Sequence, residues 1–178
     1  MAMTIPKSNK VTLQATREAT DFEVLFQEHW SRLCGVLFRL VGDWDEAQDL
    51  ALDSFEQLYR RPPKDDTNLC GWLYRVATNR GLNALRARER RTRYEQKAGS
   101  LTLEEDQPED PTDVLERKQE QAQVRTTLGL MKPRSAQLLI LRHSGLSYAE
   151  IASTLEVSPN SVGTLLARAE QEFEEQYS

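Results

Sequence analysis

Cysteine, aromatic residues and long apolar runs are all scarce in this sequence of 178 residues, and each shortage removes a class of protein. Only Cys34 and Cys70 are present, and they form no CxxC pair. With His29 and His143 the sole histidines, a four-ligand zinc site would need all four side chains to converge, which their spacing does not suggest. Two reduced thiols in or near a core are the simpler expectation. No stretch approaches the roughly 20 apolar residues that span a bilayer, so no membrane contact is expected. Met1 to Lys10 lacks an apolar segment, so no secretory signal is expected and the protein should reside in the cytoplasm. There is no nucleophile beside a base, no glycine-rich phosphate loop and no convincing metal set, so neither enzyme activity nor a cofactor is expected. With seven Pro, eight Gly and no alternating β-branched run, nothing points to a sheet. What remains, 39% hydrophobic and 29% charged, suits an all-α protein with thin cores.

The net charge of −5 hides an uneven distribution. Residues 1–59 carry 5 basic and 10 acidic groups, and residues 60–97 reverse this with 11 and 4. Residues 98–123 carry 2 and 8, and residues 124–178 carry 5 and 6. A basic block between acidic ones points to one localised contact with a polyanion rather than to general basic binding.

The pattern divides the chain into a flexible tail (1–19), a first helical domain (20–97), an acidic linker (98–123) and a second helical domain (124–178). Phe22, Leu25, Phe26, Leu33, Val36, Leu37 and Leu40 form a helical stripe that Gly42 ends. Asp43 is placed to cap a second helix, with Glu46 as its capping-box partner, and Pro62-Pro63 stops that helix near Arg61. A third helix begins near Asn68 and carries the basic block through Arg93. Residues 98–111 are acidic and hold two prolines, which marks a linker, and Pro111 is suited to open a helix reaching Leu130. After Pro133 come three short segments: Ala136–His143, Tyr148–Leu155 and Pro159–Gln176.

The last two segments read as a helix-turn-helix. Ser147 and Glu150 make a capping box, Ile151 and Leu155 supply a buried face, and Ser158 caps a helix whose first residue is Pro159. At 100° per residue, Val162, Leu166, Ala169 and Phe173 cluster within about 60° as the core side. Asn160, Ser161, Thr164, Arg168 and Gln171 lie opposite, side chains suited to base edges and phosphates. Every amphipathic helix has a polar face, so it is the capped SYAEIASTLEVSPNSV frame that marks this one for DNA. On the third helix, Arg75, Asn79, Asn83, Arg86, Arg90 and Arg93 fall within about 80° of one another, opposite Leu73, Tyr74, Ala77, Ala84 and Leu85. This stripe is either a solvated face or a nucleic-acid contact whose asparagines read adenine. Trp72 beside it is suited to stack on an unpaired base or to anchor the core, and the second reading is preferred.

The segments DWDEAQDLALDSFEQLYRR and GWLYRVATNRGLNALRARERR resemble region two of bacterial sigma factors of the extracytoplasmic-function group, and GLSYAEIASTLEVSPNSVGTLLARAE resembles their region four. The resemblance covers most of residues 20–175 and implies a factor that binds the RNA polymerase core and directs it to promoters. It implies that Asp49, Leu50, Asp53 and Phe55 dock on the clamp of the largest β-type subunit, and that region four meets the β flap. It places Lys64, Asn68, Arg75, Asn79, Asn83, Arg86 and Arg90 at the downstream promoter element, around minus ten, as its strands separate. It places Ser158, Asn160, Ser161, Thr164, Arg168 and Gln171 at the upstream element, around minus thirty-five. Promoter DNA and the polymerase core are the implied partners, and the family leaves room for an anti-sigma factor. The sequence departs from the family at Leu52, usually Gln, and Asn83, usually Asp. It departs again at Gly163, Leu165 and Glu170, where basic residues are usual. The alternatives are a sigma-like decoy or co-regulator that keeps the polymerase-binding helix, and a helix-turn-helix regulator that binds no polymerase.

Overall fold

The computed structural model describes residues 8–64, 68–98 and 112–177, and among them the regular elements are helices alone. The acidic stretch 99–111, Pro111 included, lies outside the described residues. Helix α1 (Ser8–Val41) reaches back into the stretch that the pattern marks as a tail. Its first turns contain Lys, Gln, Ala, Arg and Glu, good helix formers that need no apolar stripe, which is why a search for periodicity passes over them. Gly42 ends α1 in the left-handed region, φ 75°. A Cβ there would also crowd the Arg125 guanidinium, 2.7 Å away, so a substitution would displace that side chain as well as strain the backbone.

Asp43 caps α2 (Trp44–Arg60), its carboxylate accepting from the Glu46 N–H at 2.8 Å. The expected capping box is only half formed. The Glu46 carboxylate turns away to pair with Arg88, whose guanidinium also donates to the Val41 carbonyl at 2.8 Å. One arginine thereby satisfies the open end of α1 and neutralises the first turn of α2. Asn68 caps α3 (Leu69–Ala98), accepting from the Gly71 N–H at 3.0 Å.

The first three helices enclose a core of Leu33, Val36, Leu37, Leu40, Phe55, Leu73, Tyr74 and Leu82. Gly81 lets α3 approach α1 closely, since a Cβ there would come within 2.8 Å of Leu40 Cδ1. Phe55 is 1% exposed and fills an aromatic cluster, its ring centroid 4.8 Å from that of Phe26 and 6.1 Å from that of Phe22. Trp72 packs half-buried against the same core, the anchoring role preferred for it above. Cys34 is buried, and Cys70 sits half-buried with its Sγ 3.8 Å from His29 Nδ1. Burial raises both thiols above their usual range, which disfavours the reactive thiolate.

Helices α4 (Thr112–Leu130), α5 (Pro133–His143), α6 (Tyr148–Leu155) and α7 (Pro159–Tyr177) form the second half. So α4 occupies part of the stretch marked as linker. The amide of Lys132, ahead of α5, donates to Glu172 Oε1 at 2.7 Å and the Ser135 hydroxyl to Oε2 at 2.7 Å, which places a carboxylate from α7 at the positive end of α5. The Ser147–Glu150 capping box is complete. Hydrogen bonds from the Ser147 amide and between the two side chains pull the Glu150 carboxyl below its usual range, with Arg32 adding to the effect. Val162, Leu166 and Ala169 are buried and Phe173 half-buried, so α7 turns the expected side inward.

Two measurements check this packing. Phe55→Ala should cost about 3–5 kcal/mol in urea unfolding. Leu52→Ala, three residues away and 54% exposed, should change stability by less than about 0.5 kcal/mol. The Glu150 effect has a definite sign. A carboxyl lowered in the folded state stabilises fully above its ordinary pKa of about 4.3, and that contribution is lost as pH falls through the folded value. Glu150→Gln should therefore flatten the acid limb of the melting-temperature profile while leaving the neutral plateau nearly level with its own value at about pH 6.

Candidate functional site

Three polar surfaces stand on three helices. On α2, burial of Ala47, Ala51, Ser54, Phe55 and Leu58 forces the residues between them outward. Asp49 and Asp53 are exposed and Leu50 is half-buried. Phe55 faces the core, so it cannot touch a partner directly; it holds α2 in place instead. The outward face is completed by residues that the sequence reading left out: Leu52, 54% exposed, Glu56, and Tyr59, 69% exposed. Residues 49, 52, 53 and 56 follow the i, i+3, i+4, i+7 spacing, which makes them one stripe. The signal was present in the sequence, but Leu52 stood out only as a departure from the family. An acidic stripe with an exposed leucine at its centre suits a basic helical partner with an apolar seam.

On α3, Asn79, Asn83, Arg90 and Arg93 are exposed, while Arg75 and Arg86 are half-buried. Lys64 is exposed at the end of the α2–α3 connection, whose residues 65–67 lie outside the described residues. The basic block is not uniform in role. Arg88 closes α1 and α2 as described, and Arg80 donates to Gln57 Oε1 at 2.7 Å and lies 3.6 Å from the Asp53 carboxylate. Four candidates are already engaged by the second half of the chain. Arg86 donates to the carbonyls of Gly129 and Met131 at 2.9 and 2.8 Å. Arg75 pairs with Glu156 at 2.5 Å, and Asn68 donates to the Ser153 carbonyl at 2.9 Å. Asn79 accepts from Gln137 at 3.0 Å.

On α7 the expected reading face is open. Ser158, Asn160, Ser161, Thr164, Arg168 and Gln171 are all exposed, with Gln171 donating to Glu175 at 3.1 Å. The turn before it is a tight one. Glu156 ends α6 in the left-handed region, φ 54° and ψ 50°, and its N–H returns to the Ala152 carbonyl. Gly163 and Leu165 are half-buried, and Leu165 packs on the core, so the family departures at these two positions fall away from the exposed stripe.

Among the described residues no group of three or more His, Cys, Asp or Glu is placed to hold a metal ion. Burial pushes the Tyr74 phenol up to about 12, which keeps it neutral beside His29 and Arg32. No described helix is long and apolar enough to cross a membrane.

Comparison with known proteins agrees with this geometry. Residues 25–91 match sigma-70 region 2 and residues 121–173 match sigma-70 region 4. The chain is 30% identical over 156 residues to RNA polymerase sigma factor YlaC of Bacillus subtilis, covering 85% of this chain and 88% of that one. It is 27% identical over 156 residues to ECF RNA polymerase sigma factor SigE of Mycolicibacterium smegmatis, covering 85% of this chain and 60% of the relative. In fold it is similar to the sigma factor RpoE of Bartonella quintana, solved with the anti-sigma factor NepR, with a TM-score of 0.50, 20% identity, and coverage of 88% and 96%. The chain belongs to the RNA polymerase sigma factors, in the extracytoplasmic-function group, and directs transcription initiation.

Proposed function

We propose that the three surfaces divide the work of initiation. The α2 stripe Asp49, Leu52, Asp53 and Glu56 docks on the polymerase core, the α3 stripe holds the downstream element as it opens, and the exposed side of α7 reads the upstream element. The observation that carries this reading is the outward face of α2, where three carboxylates flank an exposed leucine while Phe55 is turned inward. An exposed apolar side chain at the centre of an acidic stripe matches a basic helix with an apolar seam. The protein adds no chemistry of its own, acts in the cytoplasm, and leaves catalysis to the polymerase. Capturing unpaired bases offsets the few kcal/mol needed to expose them, so binding on α3 favours strand opening.

The test is reconstitution with core polymerase and run-off transcription from the organism's upstream DNA. Asp49→Lys with Asp53→Lys should abolish co-purification with core while the circular dichroism spectrum stays unchanged. Undiminished co-purification would refute the docking face.

The reading helix gives a second expectation. Its exposed stripe offers one cation, Arg168, so specificity must rest on direct hydrogen bonds, each good bidentate contact being worth about 1–3 kcal/mol of discrimination. Asn160→Ala in the holoenzyme should relax base preference at one upstream position, read by transcription from a promoter library, without altering preference at the downstream element.

A further inference from the structure

A cavity of about 880 Å³ lies where α1 and the first turn of α2 meet α4, α5 and α7, apart from the three surfaces described above. That volume falls within the roughly 300–1,000 Å³ usual for small-molecule sites. Its walls are largely apolar: Phe38 from α1, Trp44 from α2, Val124 and Leu128 from α4, Ile140 from α5 and Phe173 from α7. Trp44 is 51% exposed and stacks on Phe38, their ring centroids 4.4 Å apart, so one wall is an aromatic pair standing partly in water.

Two further residues of the lining are costly to the fold. Gly35 sits in the interior of α1, where glycine weakens a helix relative to alanine. At Gly81 the same weakness lets α3 approach α1, but a Cβ on Gly35 would meet nothing within 4 Å. The effect of its missing side chain is to leave the cavity open. Arg125, on α4, is half-buried, and among the described residues no hydrogen bond or ion pair holds its guanidinium. Burial lowers its pKa, and the neighbouring charge of Arg88 lowers it further. A partly desolvated cation beside a like charge is stabilised by an anion. Arg125 also lines a smaller cleft between α3 and α4, in which Arg88 and Arg93 outnumber Glu89. The apolar cavity therefore ends in a cationic one. Glu120, Glu170 and Glu174 line the cavity too, but all three are exposed, and charges in water are screened far more than a half-buried one.

We propose that this cavity binds a small hydrophobic carboxylic acid, its chain or ring lying between Phe38, Trp44, Leu128 and Phe173 and its carboxylate on the Arg125 guanidinium. An acid fits better than a neutral or cationic ligand, because the cavity offers apolar surface to cover and its half-buried charge is positive. The guanidinium fork matches a carboxylate with two parallel hydrogen bonds. Bound there, the acid bridges α1 and α2 to α4 and α7, and so raises the melting temperature as its concentration rises. The site is independent of the roles proposed for α2, α3 and α7 in initiation, and its failure would leave them standing.

The experiment titrates the full chain by isothermal calorimetry with decanoate, kept below its micelle-forming concentration, and with naphthalene-2-carboxylate, each beside its uncharged amide. At least one acid should bind at a single site, about tenfold or more tightly than its amide. Tighter binding of decanoate assigns an acyl chain, and tighter binding of the naphthalene acid an aromatic ring. Arg125→Gln should abolish the preference for acid over amide while the circular dichroism spectrum stays unchanged. Gly35→Leu, which places a side chain in the cavity, should abolish binding without lowering the melting temperature of the unliganded chain. The comparison of acid with amide needs no variant, so it stands even if one of them fails to fold. An acid that binds no better than its amide, or that binds Gly35→Leu as it binds wild type, would overturn the proposal. Binding of neither acid up to its solubility limit would also overturn it, leaving the cavity to the side chains of a protein partner.

Discussion

Burial of α3 is the constraint on which the rest of the structure depends. Leu73, Tyr74, Ala77 and Leu82 turn inward against α1 and α2, and Gly81 permits an approach at which a side chain would displace Leu37 and Leu40. Once that side is fixed, helical geometry leaves no freedom about the others. Asn79, Asn83 and Arg90 must face away, and the second half of the chain must meet whatever α3 leaves uncovered. The same burial determines α2. Phe55 is drawn into the aromatic cluster with Phe22, Phe26 and Trp30, and Asp49, Leu52 and Asp53 are thereby presented to solvent.

Helix ends impose a second requirement, and at the C-termini of α1, α4 and α6 arginines meet it. Arg88 serves the last carbonyls of α1, Arg86 those of α4, and Arg134 the Leu155 carbonyl that closes α6. A cation at a helix C-terminus satisfies an open acceptor and complements the dipole. The consequence for function is that net charge overstates what is available to DNA. Within residues 60–97 Arg88 and Arg80 are held by α1 and α2, Arg75 and Arg86 by the second half of the chain, and Arg90 and Arg93 are exposed. A count of basic residues locates the contact and says little about its strength.

The second half of the chain is built for orientation rather than for grip. Two carboxylates, Glu150 and Glu172, sit at helix N-termini where hydrogen bonds hold them ionised, and they join α6 and α7 to their neighbours. For Glu172 burial works against ionisation, and the bonds from Lys132 and Ser135 prevail. On the division of work proposed above, a reading helix held in register by such ties, yet poor in cations, would depend on delivery to its site, which tethering through the polymerase-bound half would supply by raising its local concentration.

The sequence by itself determined the helices of both halves, because their signals are local. The period of 3.6, the Asp43 and Ser147 caps, the stop at Pro62-Pro63 and the starts at Pro133 and Pro159 all act within a few residues. It also determined which sides of α3 and α7 turn inward, since a buried face needs only one repeated pattern. Tertiary structure decided what pattern alone leaves degenerate. Phe55 satisfies a docking motif and a core position equally well on paper, and only the placement of α1 separates them. Glu46 had two possible partners, its own N-cap and Arg88, 42 residues away, and the more distant one prevailed because Arg88 also finds the end of α1. Nothing in the local pattern distinguishes Gln137; its partners are Thr78 and Asn79, 59 and 58 residues earlier in the chain. A polar side chain takes its role from the partner it meets, and partners brought together by folding across such distances leave no periodic mark in the sequence.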